Sequence, residues 1–146
     1  MTTLRALHGV SYWVIEDPSE IAELINSNVR KEWETDMAGH EDEQDRAWLD
    51  GLRRRTWSLE TVNLGDVRLN ERTMDYRDRR TGYVFRKELE KRVRVMKDQL
   101  GRFGMVIWPL VLRGEDHLLM DGYCRFHTLL ELNSGEAYAY VGSLKP

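Results

Sequence analysis

What this sequence lacks narrows its chemistry quickly. One cysteine, Cys124, stands among 146 residues, so no disulfide can close within the chain and a four-cysteine zinc site is excluded. No apolar run approaches the roughly 20 residues that cross a bilayer, and Met1 to Val10 lacks the long apolar stretch of a secretory signal. Positive charge is not in excess: 22 Lys and Arg face 25 Asp and Glu, a net charge of -3. That balance excludes a whole-surface field for nucleic acid and leaves room only for a local basic patch. Gly-x-x-x-x-Gly-Lys, His-Glu-x-x-His and Gly-x-Ser-x-Gly are all absent, and no dedicated metal cage stands out. A cytoplasmic chain with one core is the expectation.

What is present falls into two parts. From Asp17 to Arg55 charge is dense, with Ile21, Leu24, Ile25 and Val29 at helical spacing behind Asp17-Pro18, a helix start. Gly39 interrupts this pattern, and Trp48, Leu49 and Leu52 suggest a second short helix. Residues 1–56 therefore read as a helical extension and residues 57–146 as the main domain.

In that domain, Val62 and Leu64, then Val67 and Leu69, alternate around Gly65-Asp66 as a strand and turn. Asn70 to Gly82 reads as a polar loop carrying Arg72, Arg77, Arg79 and Arg80. Leu89, Val93, Met96 and Leu100 form one stripe of an amphipathic helix ended by Gly101 or Gly104. Val106 to Leu112 reads as one strand with a proline, Pro109, near its edge. Arg113 to Asp116 is a hairpin turn, and His117 to Met120 the return strand. A helix through Phe126 and Leu129 follows, and Ala137 to Val141 is a last strand. The order predicts an α+β fold: a small mixed sheet flanked by helices.

The informative joint is Asp121-Gly122-Tyr123-Cys124-Arg125, where a strand hands over to a helix. Glycine permits a sharp turn there, the new helix presents unpaired N–H groups, and Arg125 adds a forked cation in its first turn. A plain structural turn and a surface arginine are the competing explanations. Cys124 reads more readily as a small packed side chain than as a nucleophile, and His127 as a helix-face histidine that could also serve a site. The arginines at 72, 77, 79 and 80 are either a solvated loop or a grip on a phosphate-rich partner.

With Gly104-Met105-Val106-Ile107-Trp108-Pro109-Leu110-Val111-Leu112 and Leu119-Met120-Asp121-Gly122-Tyr123-Cys124-Arg125, the chain resembles the ParB/sulfiredoxin superfamily. The resemblance covers residues 62–144 and implies an α+β fold with nucleotide phosphates held at the Asp-Gly-x-x-Arg joint. The partition-protein box Gly-Glu-Arg-Arg-x-Arg-Ala survives only as Gly122 and Arg125. The sulfiredoxin motif Gly-Gly-Cys-His-Arg would need the cysteine where Tyr123 stands. The Asp-Gly-His-His-Arg motif of free-serine kinases keeps its Asp, Gly and Arg. No helix-turn-helix follows before Pro146, so a stand-alone domain is expected.

Carried over residue by residue, the resemblance implies Gly122, Tyr123, Cys124 and Arg125 around the phosphates, with Asp121 placing a metal or acceptor. It implies Glu71 or His127 as base. The expected ligand is ATP, ADP or CTP with magnesium, and the expected reaction phosphoryl transfer to a small acceptor or nucleotide hydrolysis. The alternative is a non-catalytic DNA- or protein-binding module.

Overall fold

A computed structural model describes residues 1–36, 47, 49 and 51–144. The first residues depart from the expected helical extension. Thr2–Leu7 (β1) and Val10–Ile15 (β2) form an antiparallel hairpin through His8-Gly9, both with positive φ. Two such residues between strands make the turn whose twist suits a hairpin. Period-two alternation in Val10, Tyr12 and Val14, all buried, carries the reason: one face of the strand enters the core.

Asp17-Pro18 does start a helix. Pro18–Leu24 (α1) runs through a π-helical turn, Ile25–Val29, into Arg30–Asp36 (α2). Pro18 occupies the first turn, where its missing N–H costs nothing. Leu49, Gly51 and Leu52 are helical, whereas Gly39 and Trp48 lie outside the described residues.

The main sheet has four strands in the order β3-β9-β7-β8. Arg55–Asn63 (β3) pairs antiparallel with Glu136–Leu144 (β9), β9 pairs parallel with Leu110–Arg113 (β7), and β7 pairs antiparallel with Leu119–Asp121 (β8). Asn70 to Gly82, expected as loop, contains a helical turn, Glu71–Met74 (α3), capped by the Asn70 side chain. It then forms a minimal hairpin of Arg77–Asp78 (β4) and Tyr83–Val84 (β5). The amphipathic helix is Phe85–Phe103 (α4), closed by left-handed Gly104.

The expected single strand from Val106 to Leu112 is two. Val106–Ile107 (β6) pairs parallel with β2 in a three-stranded sheet, and β7 belongs to the other sheet. Pro109 marks the change, since it offers no N–H to either ladder. Tyr123–Glu131 (α5) follows β8, and Asn133, with positive φ, turns the chain back into β9.

Both faces of the main sheet are buried, with alternate residues serving opposite faces. Leu110, Leu112, Leu119, Ala137, Ala139 and Val141 pack toward α4, α5 and β2. Val111, Met120, Tyr140 and Trp57 pack toward Ile21, Ile25, Val29, Leu49 and Leu52. The charged amino-terminal helices thus cover the second face. Trp57 lies over Gly142 on β9: a Cβ there would stand 2.7 Å from its ring. The Tyr140 hydroxyl accepts a hydrogen bond from Ile15 N–H at 3.1 Å, fastening β2 to the sheet. Among the described residues, no helix is long and apolar enough to cross a membrane.

Candidate anion-binding cleft

The joint after β8 is built around a glycine. Gly122 has φ +104°, and a Cβ on it would lie 2.9 Å from both Arg125 Nη2 and Leu110 Cδ2. The backbone conformation favours glycine, and a methyl group would also have to displace the ends of the Arg125 and Leu110 side chains. Arg125, one turn along α5, folds back over it. Its Nη2 donates to Asp121 Oδ2 at 2.8 Å, and its Nη1 donates to the carbonyls of Trp108 at 3.1 Å and Pro109 at 2.9 Å. Those carbonyls belong to the link that carries the chain from one sheet to the other. A partly buried carbonyl without a partner is costly, and the arginine fork satisfies that of Pro109 together with the more exposed one of Trp108. The Asp-Gly-x-x-Arg pattern is thus first a clasp joining β8, α5 and the β6–β7 crossing.

Tyr123 is buried and anchors the joint from the other side. Its hydroxyl accepts from Asn70 N–H at 3.1 Å and donates to the Leu119 carbonyl at 3.2 Å. Its ring meets Phe85 edge-on at 5.7 Å. Burial pushes its phenol up, which keeps the proton those bonds need. Cys124 lies half-buried, its Sγ 4.0 Å from Met96 Sδ. Burial pushes the thiol up, with the nearby Thr128 hydroxyl, Arg92 and Arg125 acting in the opposite direction. That is the state of a packed thiol rather than of a nucleophile, which would need a lowered pKa. His127 Nδ1 lies 2.8 Å from the Tyr123 carbonyl and so carries the proton, while its ring sits edge-on to Phe126 at 5.2 Å.

The first turn of α5 opens onto a cleft of about 1560 Å³. One wall is Asp121 to Arg125 with Met120 of β8. Trp33 of α2 closes one end, its indole N–H bonded to the Met120 carbonyl at 3.1 Å. The lining continues onto α4, packed directly beside α5, through Glu88, Arg92 and Met96, and onto the β4–β5 hairpin with Tyr76 and Tyr83 at its base. The N–H groups of Tyr123, Cys124 and Arg125 precede the first intrahelical bond, Phe126 N–H to the Gly122 carbonyl at 2.8 Å, and no side chain caps them. They carry the partial positive charge of the helix start into the cleft.

Cations and anions share the lining. Arg55 and Arg113 are engaged by Glu115 and Asp116. The Arg113 bond holds the Asp116 carboxyl down at about 2. Arg125 is committed to the clasp. Arg92 is exposed and has no ion pair among the described residues, although it lines the cleft beside Cys124. Sequence reading passed over it. The signal was available, because Glu88, Arg92 and Met96 follow at four-residue steps beside the apolar stripe. Tyr76 and Tyr83 were missed as well, since nothing local marks them as cleft residues.

The residues singled out from the sequence divide. Asp121, Gly122, Tyr123, Cys124, Arg125 and Arg72 line the cleft. Glu71, exposed at the first position of α3, and His127 on α5 do not. Arg77, Arg79 and Arg80 are exposed on the β4–β5 hairpin, outside the lining. Among the described residues, no group of three or more His, Cys, Asp or Glu is placed to hold a metal ion.

No protein-family model and no curated protein matches the chain. Among solved structures it is similar to a pNOB8-like ParB N-domain in a C2221 form, with 16% identity and a TM-score of 0.44 over 62% of this chain. A second pNOB8-like ParB N-domain structure gives 19% identity and a TM-score of 0.39 over the same share. The chain spans 31% and 29% of the length of those chains. The overlap is one of fold alone.

Proposed function

We propose that the cleft binds a nucleotide, with its phosphates against the first turn of α5. The observation that carries this is that the uncapped N–H groups of Tyr123 to Arg125 and the exposed guanidinium of Arg92, which has no ion pair among the described residues, line one cleft. Backbone N–H groups at a helix start and an exposed cation near them are what a phosphate chain needs. Arg125 acts as a positioning residue here: both Nη1 protons are spent on carbonyls, and it holds Gly122 and the helix start in place. ATP, ADP and CTP are the ligands to try. Magnesium would arrive on the phosphates, with Glu32, Asp78, Glu88 and Asp121 the carboxylates in the lining.

Binding needs only these groups. Phosphoryl transfer to a small acceptor, or nucleotide hydrolysis, is the reaction such a cradle serves, and it needs a base in addition. Glu71 and His127 lie off the cleft, so binding is the part of the proposal that the geometry supports best. One observation favours a second reading. Arg77, Arg79 and Arg80 project from one hairpin beyond the cleft, an arrangement suited to a nucleic-acid backbone.

A thermal-shift panel of ATP, ADP, CTP and GTP, with and without magnesium, tests the proposal on the wild type and on Arg92→Ala. Ligand at about 100 times its Kd adds roughly 2.7 kcal/mol, a rise of several degrees in Tm. The rise should shrink in Arg92→Ala. No rise at millimolar nucleotide rejects the nucleotide reading, and a salt-sensitive gel shift with DNA that Arg79→Ala weakens would install the second one.

A further inference from the structure

The cleft has aromatic rings in its lining as well as charged groups. Tyr76 follows α3, remains 39% exposed and lines the same cleft as the start of α5. Its ring is backed by Tyr83 across the β4–β5 hairpin, with centroids 5.9 Å apart and planes at 56°. The backbone around it is fixed: Tyr76 N–H bonds to the Thr73 carbonyl at 3.3 Å, and Phe85 N–H bonds to the Tyr76 carbonyl at 3.1 Å. Asn70 N–H on the Tyr123 hydroxyl then ties this whole segment to the first residue of α5. Phe85 stands edge-on to Tyr123, so aromatic rings lead from the rim to the helix start. A half-exposed ring held by a rigid backbone and supported from behind loses little freedom when a flat partner covers it.

We infer that Tyr76 is the platform on which the base of the bound nucleotide stacks, while the phosphates lie at α5. The inference rests on the nucleotide reading of the cleft and names a specificity-determining residue within it. Stacking reads the face of a base and not its edge, so ATP, GTP and CTP should bind in the same range. It also separates nucleotides from other phosphate chains: inorganic tripolyphosphate can use the cradle and gains nothing from the tyrosine.

Titration calorimetry on the full chain separates the two contributions, using ATP and inorganic tripolyphosphate as probes. The wild type should bind ATP more tightly than tripolyphosphate. Tyr76→Ala should weaken ATP about 10-fold and leave tripolyphosphate unchanged, and Tyr76→Phe should stay within about 2-fold of wild type. Far-UV circular dichroism and Tm of Tyr76→Ala check that the hairpin still folds. Equal loss for both probes would make Tyr76 a scaffold for the hairpin and overturn the inference. Unchanged ATP affinity would do the same, leaving the phosphate cradle standing. Binding of neither probe by the wild type would remove the nucleotide reading and this inference with it.

Discussion

The two walls of the cleft are built on opposite principles. On the α5 wall the side chains are engaged by the fold and only backbone N–H groups stay open: Arg125 serves three acceptors, Tyr123 bridges two elements, and Gly122 brings no side chain. On the wall formed by α4 and the hairpin, Arg92 has no ion pair among the described residues and Tyr76 keeps much of its ring in solvent. The first wall offers fixed backbone donors, and the second offers side chains that a ligand could engage. The arginine that stands out in the sequence is therefore the structural one, and the inconspicuous one is available for recognition. A permanently charged side chain can do either job, and its partners decide which.

Substitutions should break this contrast in order of size. Gly122→Ala is expected to cost most, on the order of 3 kcal/mol, because a strained φ and an overpacked Cβ act together. Chemical denaturation reads it directly, and a loss below 1 kcal/mol would show that the joint can relax. Arg125→Ala leaves two carbonyls and the Asp121 carboxylate without their donor, for about 2 kcal/mol. Arg92→Ala, measured alongside, should stay within about 0.5 kcal/mol of wild type. If the two arginine variants proved equally destabilising, the division between the walls would be wrong.

The smallest effect concerns Cys124. Burial raises its thiol, so the thiolate is scarce at neutral pH and grows as pH rises toward and beyond the ordinary thiol value. Iodoacetamide labelling should be slow at pH 7 and climb about tenfold per pH unit through the mildly alkaline range. A rate that levels off near neutrality would reveal an activated thiol and revive a nucleophilic role. Bound nucleotide, lying against the same helix turn, should slow the labelling further.

Much of the fold was legible because it follows from local periodicity. The stripe Leu89, Val93, Met96 announced α4, and Asp17-Pro18 announced α1. The errors share a cause. Val106 to Leu112 is uniformly apolar although it serves two sheets, with Trp108 exposed between them, and apolarity cannot tell one ladder from two. The β1–β2 hairpin was hidden because Trp13 and Leu4 are exposed apolar residues that blur the alternation. In the site, Asp121-Gly122 and Arg125 were recognisable as a joint, but not as a clasp on Trp108 and Pro109, seventeen and sixteen residues away in sequence.

The sequence by itself determined that no disulfide closes within this chain, that Leu89 to Leu100 form an amphipathic helix, and that the chain turns sharply from strand to helix at Gly122. Those follow from composition, spacing and the steric freedom of one residue. Only the tertiary structure decided that Arg125 is consumed by the fold, and that Arg92 and Tyr76 face the same cleft as the α5 N–H groups. The physical reason is that a charge or a ring acquires its role from its neighbours. Here those neighbours come from strands and helices far apart in the chain, brought together by a sheet buried on both faces.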